Sequence, residues 1–162
     1  MTLPPLVTRL RRLMLTIAKK LTWLPPLVAR VALGAVFIET GWGKLHDLPG
    51  TTENFVGWHI PLPHFNAVLA SGTEFFGGCL LVAGLFTRLA AVPLMITMAV
   101  AIAAAKWAKL EGLTDFFGLD EFAYLMLFLW LAVAGPGAVS LDRLLARWLK
   151  VDDGRSEPTP QS

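Results

Sequence analysis

Four apolar stretches, Pro26 to Lys44, Ala67 to Phe86, Leu89 to Trp107 and Glu121 to Val139, dominate this 162-residue chain. Each is close to the ~20 residues that a helix needs to cross a ~30 Å hydrocarbon core. In lipid a backbone group finds no partner except its own chain, so such stretches can only be helices. The fold class that follows is an all-α membrane protein, a four-transmembrane-helix bundle. With 55% of its residues hydrophobic, the chain is too apolar for a soluble domain of this length.

Charge sets the expected orientation. If the spans alternate, Arg9, Arg11, Arg12, Lys19, Lys20, Arg88, Arg143, Arg147, Lys150 and Arg155 share one side, and Lys44, Lys106 and Lys109 the other. That asymmetry puts both termini in the cytoplasm. Residues 1–24 form a basic amphipathic segment: Leu6, Leu10, Leu13, Ile17 and Leu21 fall on one helical side, and the basic residues elsewhere. The pattern suits a helix lying in the membrane interface. No small-residue cleavage site follows a short apolar core, so the segment is expected to stay attached.

Residues 25–139 make up the four-helix domain. Spans two and three are separated by little more than Thr87 and Arg88 and must form a tight antiparallel hairpin. In the first outer loop Thr51-Thr52-Glu53 reads as a helix start, and Pro61 and Pro63 as its stop. Gly135-Pro136-Gly137 ends the fourth span. Ser140 then caps a second amphipathic helix over 140–150, and 151–162 reads as a disordered tail. Arg30-x-Ala, Trp42-Gly-Lys-Leu and Val82-Ala-Gly recur in the same order as Arg88-x-Ala, Trp107-Ala-Lys-Leu and Val133-Ala-Gly, the pattern a duplicated helical hairpin would leave.

Ionisable groups inside spans point most directly to function, because each costs about 2.5 to 3.5 kcal/mol at the bilayer centre on insertion scales. Arg30, Glu39 and Glu74 are the three. Glu39 lies ~7 Å below the outer end of its span and Glu74 ~10 to 12 Å below that of its own, so the carboxyls share the outer half. Arg30 sits in the inner half near Arg88, where snorkelling to the headgroups is the first reading for both arginines. Nine residues of helix turn through about 900°, so Glu39 faces away from Arg30 and needs a partner from elsewhere. For Glu74 two readings stay open: a carboxyl that locks helix to helix, with Ser71 and Gly78 on its face, or a proton carrier and ligand for a cation or quinone headgroup. Gly72, Gly77, Gly78 and Gly84 read as close-packing positions of span two.

His46, His59 and His64 all fall in the first outer loop, above the carboxyls, and are the candidates for a metal or haem site, although no HxxxH, HxH or CxxC spacing supports one. The single Cys79 excludes an internal disulfide and a zinc site built on thiolates. No phosphate-binding glycine loop, nucleophile elbow or Glu-x-x-His pair is present. The catalytic residues, if the chain has any, are therefore unknown.

The run Arg30-Val-Ala-Leu-Gly34, then Gly41-Trp-Gly-Lys44-Leu, Glu74-Phe-Phe-Gly77-Gly78, Gly84-Leu-Phe-Thr-Arg88 and the close Gly135-Pro-Gly137-Ala-Val-Ser140-Leu-Asp142 together resemble the DoxX family. The resemblance implies a four-helix protein of the bacterial inner membrane, in a family named for a subunit linked to thiosulfate:quinone oxidoreductase. It supplies no agreed catalytic set, so Arg30, Lys44, Glu74 and Arg88 carry over as pattern positions only. The expectation is an accessory or quinone-interacting subunit of a membrane redox system, held in the lipid bilayer with protein partners or as a homo-oligomer and without nucleic acid. A small-molecule or metal-ion transporter or chaperone, and a ligand-free scaffold, are the alternatives. The cofactor, quinone or metal, stays open.

Overall fold

The computed structural model describes residues 5–149, all of whose regular structure is helical. The expected tail, and the ends of both terminal segments, lie outside the described residues. The order is α1 (Pro5–Leu21), α2 (Leu24–His46), α3 (Leu48–Gly57), α4 (Pro63–Ala83), α5 (Thr87–Ala101), a π-helical turn Ile102–Lys106, a 3-10 turn Trp107–Lys109, α6 (Leu113–Phe117), α7 (Asp120–Ala134) and α8 (Leu141–Trp148).

Three helical runs among the described residues are long and apolar enough to cross a membrane: Leu24–His46, Pro63–Ala83 and Thr87–Lys109, of 23, 21 and 23 residues. The fourth apolar stretch behaves differently. Helix α7 has 15 residues and stops at Ala134 rather than Val139, because Gly135 takes φ +83°, a conformation that ends a helix. The first loop also departs from expectation. Helix α3 starts at Leu48, where the Asp47 carboxylate accepts from Gly50 N–H at 3.0 Å, and not at Thr51. Pro63 opens α4 instead of ending a helix, as its fixed φ and missing N–H allow in a first turn.

The helices pack as two pairs. Helix α2 lies along α4 and α5 along α7, whereas α2 and α7 meet only sparsely. Close approach explains the first pair. A Cβ on Gly34 would come 2.8 Å from Gly78 O and one on Gly78 2.8 Å from Gly34 O, so the two backbones touch there. Gly72, by contrast, looks onto open space. The two pairs share a core in which Phe37 of α2 meets Phe128 and Tyr124 of α7 edge to face, at 4.9 and 5.5 Å between ring centroids.

At the end nearest α1 and α8 the pairs are clasped together. The Asp142 carboxylate accepts from Phe86 N–H at 2.6 Å and Thr87 N–H at 3.1 Å, capping α5 from a distant point in the chain. Asp142 N–H donates to Gly84 O at 2.9 Å. Arg30 Nη2 donates to Val139 O at 2.6 Å, and the residue is 2% exposed, so Arg30 does not snorkel. The sequence recurrence has a structural counterpart here. Arg30 lies over Gly84, where an added Cβ would overlap Nη1, and Arg88 lies over Gly135, where a Cβ would come 2.8 Å from Nε. Each glycine closes the second helix of a pair in the left-handed region, with φ +67° and +83°.

Candidate functional site

Away from the clasp the pairs diverge and enclose a cavity of about 850 Å³. Its walls come from α2, α3 and α4 on one side, and from α5, the π turn and α7 on the other. The lining is mainly apolar and aromatic, with Phe37, Phe55, Trp58 and Tyr124 among its residues. The cavity is open rather than sealed: Leu69, Ile96 and Val100 on α4 and α5, and Asn54, Trp58 and Pro61 around α3, are exposed at its margin.

Each helix pair contributes one ion pair to this cavity. Lys44 Nζ lies 2.6 and 2.7 Å from the two carboxylate oxygens of Glu74, a chelating geometry. Glu74 is 1% exposed, while the Lys44 side chain is 40% exposed. Glu74 is thus paired as a buried charge requires, by a lysine that reaches down from two residues before the end of α2. Ser71, which shares its face, spends its hydroxyl on Ala67 O at 2.7 Å and leaves Glu74 to Lys44. In the second pair Lys106 Nζ lies 3.1 Å from Glu121 Oε1. Lys106 is the last residue of the π turn, where Trp107 N–H donates to Ile102 O five residues back. The inserted residue rotates the helix beyond Ala101, and such bulges recur at functional sites.

Of the residues singled out from sequence, Glu74 and Lys44 are brought together in the cavity. Arg30 and Arg88 lie at the opposite end, in the clasp. Glu39 is exposed, does not line the cavity, and has no hydrogen bond or ion pair to a described residue. The expected pocket of Glu39, Glu74 and histidines is therefore not what the fold assembles. His46 Nδ1 lies 2.9 Å from Trp42 O and the ring packs at a tilt of 47° against the Trp42 indole, His64 Nδ1 lies 3.4 Å from Thr52 Oγ1, and His59 sits in a turn at φ +57°. None of the three lines the cavity. No group of three or more His, Cys, Asp or Glu residues among the described ones is placed to hold a metal.

Sequence reading missed Lys106, Glu121 and Tyr124 as site residues. Glu121 and Tyr124, three apart on α7, share a face towards the cavity. The signal for them was available, since Tyr124 is the only tyrosine in the chain and Glu121 is, with Asp120, one of two acidic residues at the mouth of an apolar stretch.

Comparison with known proteins bears on the whole arrangement. The sequence model of the DoxX family matches residues 26–107. Inner membrane protein YphA of Escherichia coli K12 is 32% identical over 124 residues, 72% of this chain and 87% of that protein. Inner membrane protein YqjF of the same strain is 34% identical over 130 residues, 78% and 96% respectively. The Bacillus subtilis protein called "Putative oxidoreductase CatD" is 35% identical over 118 residues, 72% of this chain and 83% of its own. No solved structure matches. With apolar helices of spanning length, inner-membrane relatives and a family match over half its length, the chain is a multi-pass integral membrane protein that belongs to the DoxX family.

Proposed function

We propose that this protein is an accessory subunit of a membrane redox system and that its cavity receives a quinone headgroup. The observation that carries the reading is the cavity itself: about 850 Å³ of mainly apolar, aromatic-lined space, open at its margin and furnished with the Lys44–Glu74 and Lys106–Glu121 pairs. A quinone is a flat apolar ring with carbonyl oxygens that accept hydrogen bonds, on an apolar tail. Lys44 and Lys106 supply donors, and Phe37, Tyr124 and Trp58 supply faces for stacking. A redox setting is supported by the word oxidoreductase in the name of one relative. In this reading a partner protein carries the electrons, and the present chain binds and orients the quinone.

The test is photolabelling of the purified full chain in lipid nanodiscs with an azido-quinone, together with extraction and chromatography of endogenous quinone. Labelling mapped to α4, α5 or α7 and lowered about tenfold in a Lys44→Met, Lys106→Met double variant is expected, the loss of one to two hydrogen bonds to the ring. A preparation free of quinone whose labelling is unchanged by the double variant would overturn the reading.

The proposal carries a topology. We place both termini in the cytoplasm and count four crossings, with the short α7 completed by the segments on either side and by local thinning of the bilayer. The ten-to-three distribution of basic residues supports this orientation. In it α1 and α8 lie along the inner interface, with their exposed leucines towards lipid, and the cavity faces the outer half.

A further inference from the structure

Helix α1 stands apart from the rest of the chain. Every residue from Leu6 to Leu21 is exposed, and no other described helix packs along it. At about 100° per residue, Leu6, Leu10, Leu13, Met14, Ile17 and Leu21 fall within an arc of about 100°. Arg9 and Lys20 flank that stripe on one edge and Arg11 on the other, with Arg12 and Lys19 opposite it. The helix holds five cations and no acid, and none of the five is paired with a described residue.

Such a sequence is a poor helix by itself. Its 17 residues barely exceed the ~12–15 below which even alanine-rich helices are marginal in water. Val7, Thr8, Thr16 and Ile17 are β-branched, and Arg9 and Arg12, three apart, repel each other with no acid to offset them. Helix α8 differs, because Ser140 caps it and Asp142 ties it to α5. Whatever orders α1 must supply an apolar layer and, at its edges, negative charge.

We infer that α1 docks on anionic phospholipid and that this docking orders its helix. Only Thr22 and Trp23 separate it from α2, a helix of spanning length, so the bilayer surface is always within reach at high effective concentration, ahead of any soluble partner. There the leucines sink to the acyl boundary, while Arg9, Lys20 and Arg11 reach phosphates from the two edges. Each Lys or Arg near an anionic surface favours the docked state about fivefold, and the headgroup charge relieves the repulsion between Arg9 and Arg12. A zwitterionic surface offers the apolar layer without net charge and leaves that repulsion in place. The lipid composition beside the protein therefore sets how much of α1 is helical. The inference depends neither on what the cavity binds nor on which way the chain crosses the membrane.

The experiment is hydrogen exchange, read by mass spectrometry, on the full chain in nanodiscs of phosphatidylcholine alone or with phosphatidylglycerol added. The amides of α1 are expected to exchange at least about tenfold more slowly with phosphatidylglycerol, and less so at high salt, while those of α4 exchange equally in both. A triple variant, Arg9→Gln, Arg11→Gln and Arg12→Gln, is expected to exchange in phosphatidylglycerol discs about as the unmodified chain does in phosphatidylcholine. Leu10→Ser with Leu13→Ser is expected to exchange fast in both lipids. Unchanged protection of α4 shows that each variant folds. Equal protection of α1 in the two lipids, protection unaltered in the arginine variant, protection restored in phosphatidylcholine discs by inorganic phosphate alone, or protection that appears only with two chains per disc would each overturn the assignment.

Discussion

Lys44 and Glu74 are unequal partners. The carboxylate is buried and chelated at 2.6 and 2.7 Å, whereas the ammonium side is open at the cavity. Removing the lysine strands a buried charge. Removing both members replaces a costly polar pair with apolar contact. Lys44→Met is therefore expected to lower stability in detergent by about 1–3 kcal/mol, and Lys44→Met with Glu74→Leu to recover most of that loss, as measured by thermal unfolding. At this scale the sequence was informative about charge and silent about pairing. Glu74 stood out because an acid in a span is expensive, and helix geometry alone set Glu39 opposite Arg30. The partner of Glu74 lies thirty residues away on another helix, and no local rule selects Lys44 over Lys106 or Lys109. The Lys106–Glu121 pair was less legible still, since it depends on one extra residue in a helical turn.

Glycines decide how closely the elements pack, and the same residue type does opposite work at different positions. Gly78→Ala places a methyl group 2.8 Å from both Gly34 O and Ile38 N, so α2 and α4 must separate along their shared length. Gly72→Ala on the same helix meets nothing within 4 Å. The first is expected to destabilise by about 1–3 kcal/mol through overpacking, and the second to be neutral or to stabilise by up to about 1 kcal/mol through helix propensity. Thermal unfolding of the two variants side by side reads the difference. Composition showed a glycine-rich helix but could not separate Gly78, which faces α2, from Gly72, which faces outward. Element boundaries failed in the same way. Pro63 could equally end one helix or begin another, and only the left-handed turn at Leu62 makes it a beginning. The stop at Ala134 was signalled by Gly135-Pro136-Gly137, yet the apolar residues beyond it carried the expected span five residues too far.

Across the whole molecule, the two ends behave as different materials. The clasp near the termini joins the helix pairs through Arg30, Gly84 and Asp142, while the opposite end holds them apart around the cavity. The proposed orientation predicts where each end is accessible. Single cysteines introduced at Glu53 in α3 and at Arg147 in α8, in the Cys79→Ser background, are expected to react with an impermeant maleimide from the periplasmic side and only after membrane disruption, respectively. The reverse pattern would invert the topology.

In the proposed orientation the exposed Leu69, Ile96 and Val100 at the cavity margin face lipid, and that would change what an affinity means for a quinone bound there. A ligand entering past those residues would stay in the plane of the bilayer, so the concentration that governs occupancy would be its mole fraction among the lipids, not its molarity in water. Diluting the membrane with more lipid should empty the site at constant total ligand, and adding buffer should not.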